Sequence, residues 1–294
     1  MPNASVRPRR SVLYMPGANT KALEKAKTLA ADVVILDLED AVAPEAKEDA
    51  RAAVAAAVKA GGYGNREVII RVNALTSLWG AADLEAAVAA GPDAILFPKI
   101  SSAAEVMSAT EAMDALGAPP EMGLWAMIET PLAILDIKHI AEASQNARLC
   151  AFVMGTNDIA KETRARQTLD RAPFWFALSA SVTAARLYGM TIIDGVYNDI
   201  ADTEGFLRTC EQGLNFGFDG KTLIHPSQIG PCNDVFAPSD EEVTHARAII
   251  AAFADPANAG KGVLKVDGKM TELLHRDIAR QTVAIADTIK AMAN

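Results

Sequence analysis

The sequence predicts a TIM, or (β/α)8, barrel with a C-terminal helical lid extension, and three observations carry the prediction. Eight short runs rich in β-branched and apolar residues recur along the 294-residue chain; runs of this kind suit parallel strands buried on both faces. Ala-rich segments with helical spacing separate them. Nearly every run delivers a charged or metal-capable residue at its C-terminal edge, the end at which such barrels build their active sites. The chain is a few tens of residues longer than the ~250 of a typical barrel, so an appendage is expected.

In order, the runs are SVLYMP (11–16), DVVILDLED (32–40), EVIIRVN (67–73), AILFPK (94–99), LWAMIET (124–130), LCAFVMGTND (149–158), TIIDG (191–195) and KTLIHP (221–226). Between them, Asn19 or Thr20 can cap a helix running to Ala30, and Pro44 opens one that Gly61 and Gly62 end. Pro131 and Pro173 suit first turns. At FAPSDEEV (236–243) Pro238 breaks the chain and Ser239 or Asp240 can cap a helix over 241–253. A Gly-rich stretch, NAGKGVLKVDGK, then precedes a last helix over about 271–292. The expected division is a catalytic barrel, 1–237, and a lid or arm, 238–294.

The net charge of -9 and pI near 5.0 argue against a nucleic-acid groove, which needs a basic stripe. Cys150, Cys210 and Cys232 are odd in number and lack metal-ligand spacing. No apolar run is long enough to cross a bilayer, and the basic start MPNASVRPRR has no apolar core behind it. A cytoplasmic protein with free thiols and no membrane partner is expected.

Asp37, Glu39, Asp40, Arg71, Lys99, Glu129, Asp158, Asp194 and His225 should converge on one rim. Glu129 and Asp158 close adjacent strands, roughly 5 Å apart along the sheet. Two carboxylates without a neighbouring histidine suit a hard cation such as Mg²⁺, although each could instead cap a helix or pair with a lysine. Arg71 can grip a substrate carboxylate through two parallel hydrogen bonds, or form an internal ion pair with Asp37 or Glu39. Three carboxylates at 37, 39 and 40 repel one another unless a cation, an arginine or water relieves them. His225 can carry a proton or simply shape a turn, and His139, His245 and His275 sit in helical surroundings. MPGANTKALEKA has the look of a phosphate-binding turn, with Gly17, a helix N-terminus, Lys21 and Lys25.

SVLYMPGANTKALEKA, ADVVILDLEDAVAPEAKEDAR, VIIRVN, ILFPK, MIETP, VMGTNDIAK, TIIDGVYNDI and FDGKTLIHPSQI together resemble the citrate lyase β-subunit-like, HpcH/HpaI aldolase superfamily, nearest its malyl-CoA lyase and thioesterase branch. The likeness runs over about 11–238. It implies that Glu129 and Asp158 hold Mg²⁺, with Mn²⁺ as a substitute, and that Arg71 binds the oxo-acid carboxylate. It implies further that Asp37, catalytic together with Arg71, and Glu39 lie beside the metal's waters, that Gly155, Thr156 and Asn157 meet the substrate, and that Lys25, Arg10 and Tyr14 contact coenzyme A, which is part of the substrate. It implies a homotrimer or homohexamer whose lid supplies a catalytic carboxylate to a neighbour.

The activity so implied is Mg²⁺-dependent, reversible cleavage of a malyl-CoA-type 3-hydroxyacyl-CoA to acetyl-CoA or propionyl-CoA and glyoxylate. One departure qualifies it. Where the lids of this superfamily read Gly-x-Met-(Ile/Val)-Asp, this chain reads GKMTE, with Glu272 in the aspartate's place and Asp267 as a fallback. An added methylene shifts the carboxylate, and carbon–carbon chemistry is sensitive to such offsets. The alternative is (3S)-malyl-CoA thioesterase activity, giving malate and coenzyme A; a class II pyruvate-type aldolase without coenzyme A ranks below both.

Overall fold

A computed structural model describes residues 7–292 of the chain; residues 1–6 of the basic N-terminal stretch lie outside the described residues. Eight strands close into a parallel barrel: β1 (Ser11–Pro16), β2 (Val33–Asp37), β3 (Glu67–Arg71), β4 (Ala94–Phe97), β5 (Gly123–Ile128), β6 (Leu149–Met154), β7 (Thr191–Asp194) and β8 (Gly220–Leu223). The ring closes where Ser11 of β1 pairs with Lys221 of β8. Each expected run overlaps its strand, two strands starting one residue earlier at Gly123 and Gly220, and most strands stop short of the run's polar end, which belongs to the loop or helix that follows.

The helices are α1 (Thr20–Ala26), α2 (Lys47–Ala60), α3 (Gly80–Ala90), α4 (Ala103–Ala115), α5 (Pro131–Leu135), α6 (Ile137–Glu142), α7 (Thr156–Thr163), α8 (Trp175–Leu187), α9 (Thr203–Phe216), α10 (Ile229–Phe236), α11 (Asp240–Ala254) and α12 (Leu273–Met292). Asn19 caps α1 by accepting the Ala22 N–H, and Pro131 opens α5. Pro44 and Pro173 lie in short 3₁₀ turns that lead into α2 and α8. Ser239 and Glu242 form a reciprocal capping box on α11.

Period-two alternation decides which side chains fill the barrel. Val12, Val33, Ile35, Ile69, Ala94, Leu96, Trp125, Met127, Ala151, Val153 and Ile193 form one buried cluster, with Tyr14 packed against it. Carrying each file two residues onward reaches Asp37 on β2, Arg71 on β3, Glu129 after β5 and Gly155 after β6. The apolar interior therefore ends in a polar layer at the C-terminal mouth.

The opposite parity explains Asp194. Its neighbour Ile193 faces inward, so Asp194 points behind the sheet, where its carboxylate meets Arg171 Nη1 at 2.7 Å and Lys221 Nζ at 2.9 Å. Burial by itself would raise the Asp194 pKa, but Lys221 and Arg171 outweigh it and hold the carboxyl below its usual range. Asp194 is a buried ion-pair centre, not the rim residue the sequence suggested.

The chain divides into two compact units, Arg9–Asp234 and the part from Val235 onward. In the second, α11 packs on α12 through Ala246, Ile249 and Ala279. A hairpin of β9 (Val263–Val266) and β10 (Lys269–Glu272) adds Val266 and Leu264 to that core. The hairpin occupies the stretch read from sequence as a Gly-rich break, and it delays the last helix to Leu273. Among the described residues, no helix is long and apolar enough to cross a membrane.

Replacing Asp194 by Asn would leave Arg171 and Lys221 as buried cations without a counter-charge. Breaking a buried pair in this way costs about 3–5 kcal/mol. Urea unfolding of D194N should show a loss of that size, and a loss below about 1 kcal/mol would contradict the assigned ion-pair role.

Candidate active site

Asp37 and Arg71 are register partners on neighbouring strands. Arg71 Nε donates to Asp37 Oδ1 at 2.7 Å and Nη2 to Oδ2 at 2.6 Å. Asp37 also accepts the backbone N–H groups of Glu39 (2.9 Å) and Ala41 (3.1 Å). Its oxygens are thus committed to four donors, so Asp37 acts as the anchor of Arg71 and of the loop after β2.

Of the two roles left open for Arg71, the structure shows the internal pair. The edge of the guanidinium that carries Nε is taken, and Nη1 remains toward Glu39 Oε2 (2.8 Å) and Asp40 Oδ2 (3.3 Å). The Glu39 oxygen is buried and lacks an aligned hydrogen bond despite that short distance. The Tyr14 ring lies 4.8 Å from the guanidinium carbon, a cation–π contact. Burial works against the Arg71 charge, yet Asp37 and its other neighbours more than compensate and raise its pKa. Tyr14, assigned to coenzyme A from the resemblance, lies against Arg71 and Met127 in the barrel mouth.

Glu129 is 1% exposed. Its Oε1 accepts the Lys99 backbone N–H at 2.7 Å, with Lys99 in the left-handed region at φ 56°. A non-glycine residue held there stores strain, a feature that concentrates at functional sites. Gly155 supplies the space on the other side: a Cβ there would stand 2.4 Å from Glu129 Cβ and 2.6 Å from Oε2. Asp158 lies in the first turn of α7, a short distance beyond β6 rather than at its end. No side chain caps α7 at Gly155, so the first N–H groups of that helix lack a capping side chain.

Desolvation, together with repulsion from Glu39 and Asp158, raises the Glu129 carboxyl to about 8. Desolvation likewise lifts Glu39 to about 7, against the pull of Arg71. Carboxylates crowded in this way, with oxygen donors only, fit a hard divalent cation between Glu129 and Asp158. A cavity of about 290 Å³ at the mouth is lined by Tyr14, Asp37, Arg71, Gly155, Thr156 and Asp158, among others.

The remaining sequence candidates separate by place. Lys25 is exposed in the last turn of α1. Arg10 immediately precedes β1, at the N-terminal end of the barrel, and both its Nε and Nη2 bind Asp32 at 2.8 Å. That geometry corrects its assignment as a coenzyme A contact, because it lies at the end opposite the cavity with its guanidinium committed. His225 is exposed, and its Nδ1 accepts the Ser227 N–H in the turn after β8. In the second unit, Glu272 ends β10 and its N–H donates to His275 Nδ1. Asp267 lies at the hairpin turn, paired with His245 at 2.8 Å.

Two residues escape sequence reading. Asn198 exchanges hydrogen bonds with Asn157 at 2.8 and 3.2 Å, and Gln167 donates to the same Asn157 oxygen at 2.8 Å. Asn198 belongs to the GVYND motif, whose position just past β7 is the available signal.

The site is thus a carboxylate-rich barrel mouth around a buried arginine. The model of the HpcH/HpaI aldolase/citrate lyase family matches residues 10–226, and the chain belongs to that family. It is 49% identical over 284 residues to the (3S)-malyl-CoA thioesterase of Cereibacter sphaeroides (strain ATCC 17029 / ATH 2.4.9), covering 97% of this chain and 96% of that protein. It is 37% identical over 286 residues to the citrate lyase subunit beta of Escherichia coli (strain K12), covering 96% and 94%. The CitE protein of Mycobacterium tuberculosis, solved with magnesium, acetoacetate and coenzyme A, superposes with a TM-score of 0.77 at 27% identity, covering 96% of this chain and 99% of that one.

The raised carboxyls set a pH signature. Glu129 and Glu39 start from an ordinary value of 4.5, so the fold favours their neutral forms. The stability they contribute is full below that value and is lost as the pH rises through about 7 to 8. With EDTA, the melting temperature should fall between pH 5 and 8. Mg²⁺ should restore more of it at pH 8 than at pH 6, where binding must first displace protons. Equal Mg²⁺ shifts at both pH values would count against this pair as the cation site. Gly155→Ala, by pushing on Glu129, should weaken the shift at pH 8 at least tenfold in Mg²⁺ concentration.

Proposed function

We propose that this protein is a Mg²⁺-dependent enzyme that hydrolyses (3S)-malyl-CoA to malate and coenzyme A. The observation that carries the reading is the 46–49% identity, over 97% of the chain, to four proteins named (3S)-malyl-CoA thioesterase. The site supports it by matching the ligand's chemistry: a short, hydroxylated acyl group ending in a carboxylate.

Glu129 and Asp158 would hold the Mg²⁺, which when bound supplies Lewis-acid polarisation of the acyl group's oxygens. Arg71 Nη1 can exchange its contacts with Glu39 and Asp40 for the substrate carboxylate. The uncapped N–H groups at the start of α7, around Thr156 and Asn157, favour negative charge in the same place. Anchored by Asp37, Arg71 enters the encounter already oriented, so little ordering is required on binding.

Hydrolysis joins a water oxygen to the thioester carbonyl carbon and breaks the carbon–sulfur bond. The water proton needs an acceptor and the departing thiolate needs a donor. Asp37 is fully hydrogen-bonded. Glu39, with an oxygen that lacks an aligned hydrogen bond, is the carboxylate with capacity for that proton and can return it to sulfur. Lys25, exposed on α1, is assigned to the coenzyme A phosphates on the resemblance.

Carbon–carbon cleavage to acetyl-CoA and glyoxylate is the second reading. It is favoured by the family's aldolase and lyase members and by the 36–37% identity to citrate lyase beta subunits. The same residues would bind the same substrate, with a lid carboxylate, Glu272, as the acid or base.

The test is to incubate the purified protein with (3S)-malyl-CoA and Mg²⁺, with and without EDTA, following free thiol and glyoxylate separately. The expected result is EDTA-sensitive thiol release with no glyoxylate. Glyoxylate without thiol would install the lyase reading, and silence in both channels would overturn both.

A further inference from the structure

Lys47 is a buried cation that the chemistry above does not use. It opens α2 and is 5% exposed. Its Nζ donates to Leu38 O at 2.8 Å, Glu39 O at 2.7 Å and Asn73 Oδ1 at 2.8 Å. An ammonium has three protons, and here each has one acceptor. Asn73, two residues beyond Arg71, donates through Nδ2 to Leu38 O at 2.8 Å and to Asp83 Oδ2 at 2.6 Å. Arg51 holds the other Asp83 oxygen at 2.7 Å.

This chain of contacts grips the loop after β2 from behind. On the cavity side, Asp37 accepts the amides of Glu39 and Ala41. On the far side, the carbonyls of Leu38 and Glu39 converge on one ammonium. No carboxylate lies within ion-pair distance of Lys47 Nζ among the described residues, so the buried charge is met by carbonyl and amide dipoles, by the Trp79 ring 5.2 Å away and by the longer-range field of Asp37 and Asp83. Burying a charge without an ion partner is unfavourable compared with a neutral side chain. Only a lysine ammonium, however, offers three donors to three acceptors that converge in this way.

We propose that Lys47, oriented by Asn73 and Asp83, is a positioning residue for the reaction. It acts through the backbone of Leu38 and Glu39 to set the loop that places Glu39 and Asp40 against Arg71 Nη1. Asn73 ties that loop to the segment leaving β3, so the carboxylates and the guanidinium are held in one frame. The assignment rests on the functional reading above as far as the reaction is concerned, and on the contacts alone as far as the loop is concerned.

The test uses the full chain with Lys47→Met, Asp83→Asn and a control, Leu84→Ala, which destabilises the buried face of α3 and removes none of the hydrogen bonds to the loop. Three quantities are read: amide exchange over residues 37–42, malate binding by calorimetry with Mg²⁺, and kcat and KM for (3S)-malyl-CoA. For K47M we expect exchange at Glu39 and Ala41 to quicken at least tenfold and malate binding and kcat/KM to weaken at least tenfold. D83N should show smaller losses of the same kind, and L84A should melt earlier yet keep binding and kcat/KM within twofold. K47M with binding and kcat/KM within twofold of wild type would overturn the proposal, as would L84A showing equal losses. If K47M does not fold, D83N decides: losses support the proposal and unchanged values overturn it. If the wild-type protein neither binds malate nor turns over malyl-CoA, the functional reading fails on its own, and loop exchange in K47M still decides the positioning role, unchanged exchange overturning it.

Discussion

The pairing of Asp37 with Arg71 sets the frame for the mouth of this barrel. Two residues in register on adjacent strands, both facing inward, place a carboxylate and a guanidinium above an apolar core. Desolvating both ions is unfavourable by several kcal/mol each, and only good geometry offsets that. Two hydrogen bonds between the pair and two backbone amides on Asp37 supply it. Because those amides belong to the next turn, the same carboxylate also shapes the loop carrying Glu39 and Asp40. Arg71 is left with one nitrogen turned toward exchangeable acidic partners.

The charge at the mouth does not close. Asp37, Glu39, Asp40, Glu129 and Asp158 face Arg71 and Lys99, and burial first, with repulsion among the carboxylates added to it, lifts Glu39 to about 7 and Glu129 to about 8. A site selected for stability alone would replace one of these acids. Keeping them is what a cation site requires, since the ion that relieves the repulsion also binds most tightly where the repulsion is greatest. The backbone cooperates at some cost: Lys99 adopts a left-handed conformation to aim one N–H at Glu129, and Gly155 gives up a side chain to let that carboxylate in.

Alternation makes much of this legible in the sequence. The eight runs mark the strands, and parity within each run is enough by itself to point Asp37, Arg71 and Glu129 toward the mouth. Parity also governs the errors. Asp194 follows the inward Ile193, and a rim position for it ignores that rule. The family resemblance implies a coenzyme A phosphate role for Arg10, although residues before a strand lie at the opposite end of the barrel from residues after it. Asp158 reads as a strand end because a helix that starts one residue after a glycine leaves no break in an apolar run. The β9–β10 hairpin consists of two four-residue strands around an Asp-Gly turn, too short for alternation to mark them. Asn198 and Gln167 act through side-chain contacts across distant loops, which no local pattern encodes.

Asp37 and Asp194 show how one residue type at two parities separates binding from stability. Both are buried aspartates at the last position of their strands. Asp194, turned outward, is answered by two cations, Arg171 and Lys221. Asp37, turned inward, shares a single arginine with Glu39 and Asp40. The carboxylate behind the sheet is therefore fully countered and can serve as scaffold, while the region inside the mouth is left short of positive charge and over-supplied with oxygen donors. Under the proposed function a cation would meet the carboxylates and an acidic substrate would meet Arg71, so the residues that crowd negative charge at the mouth would be the same ones that make it selective.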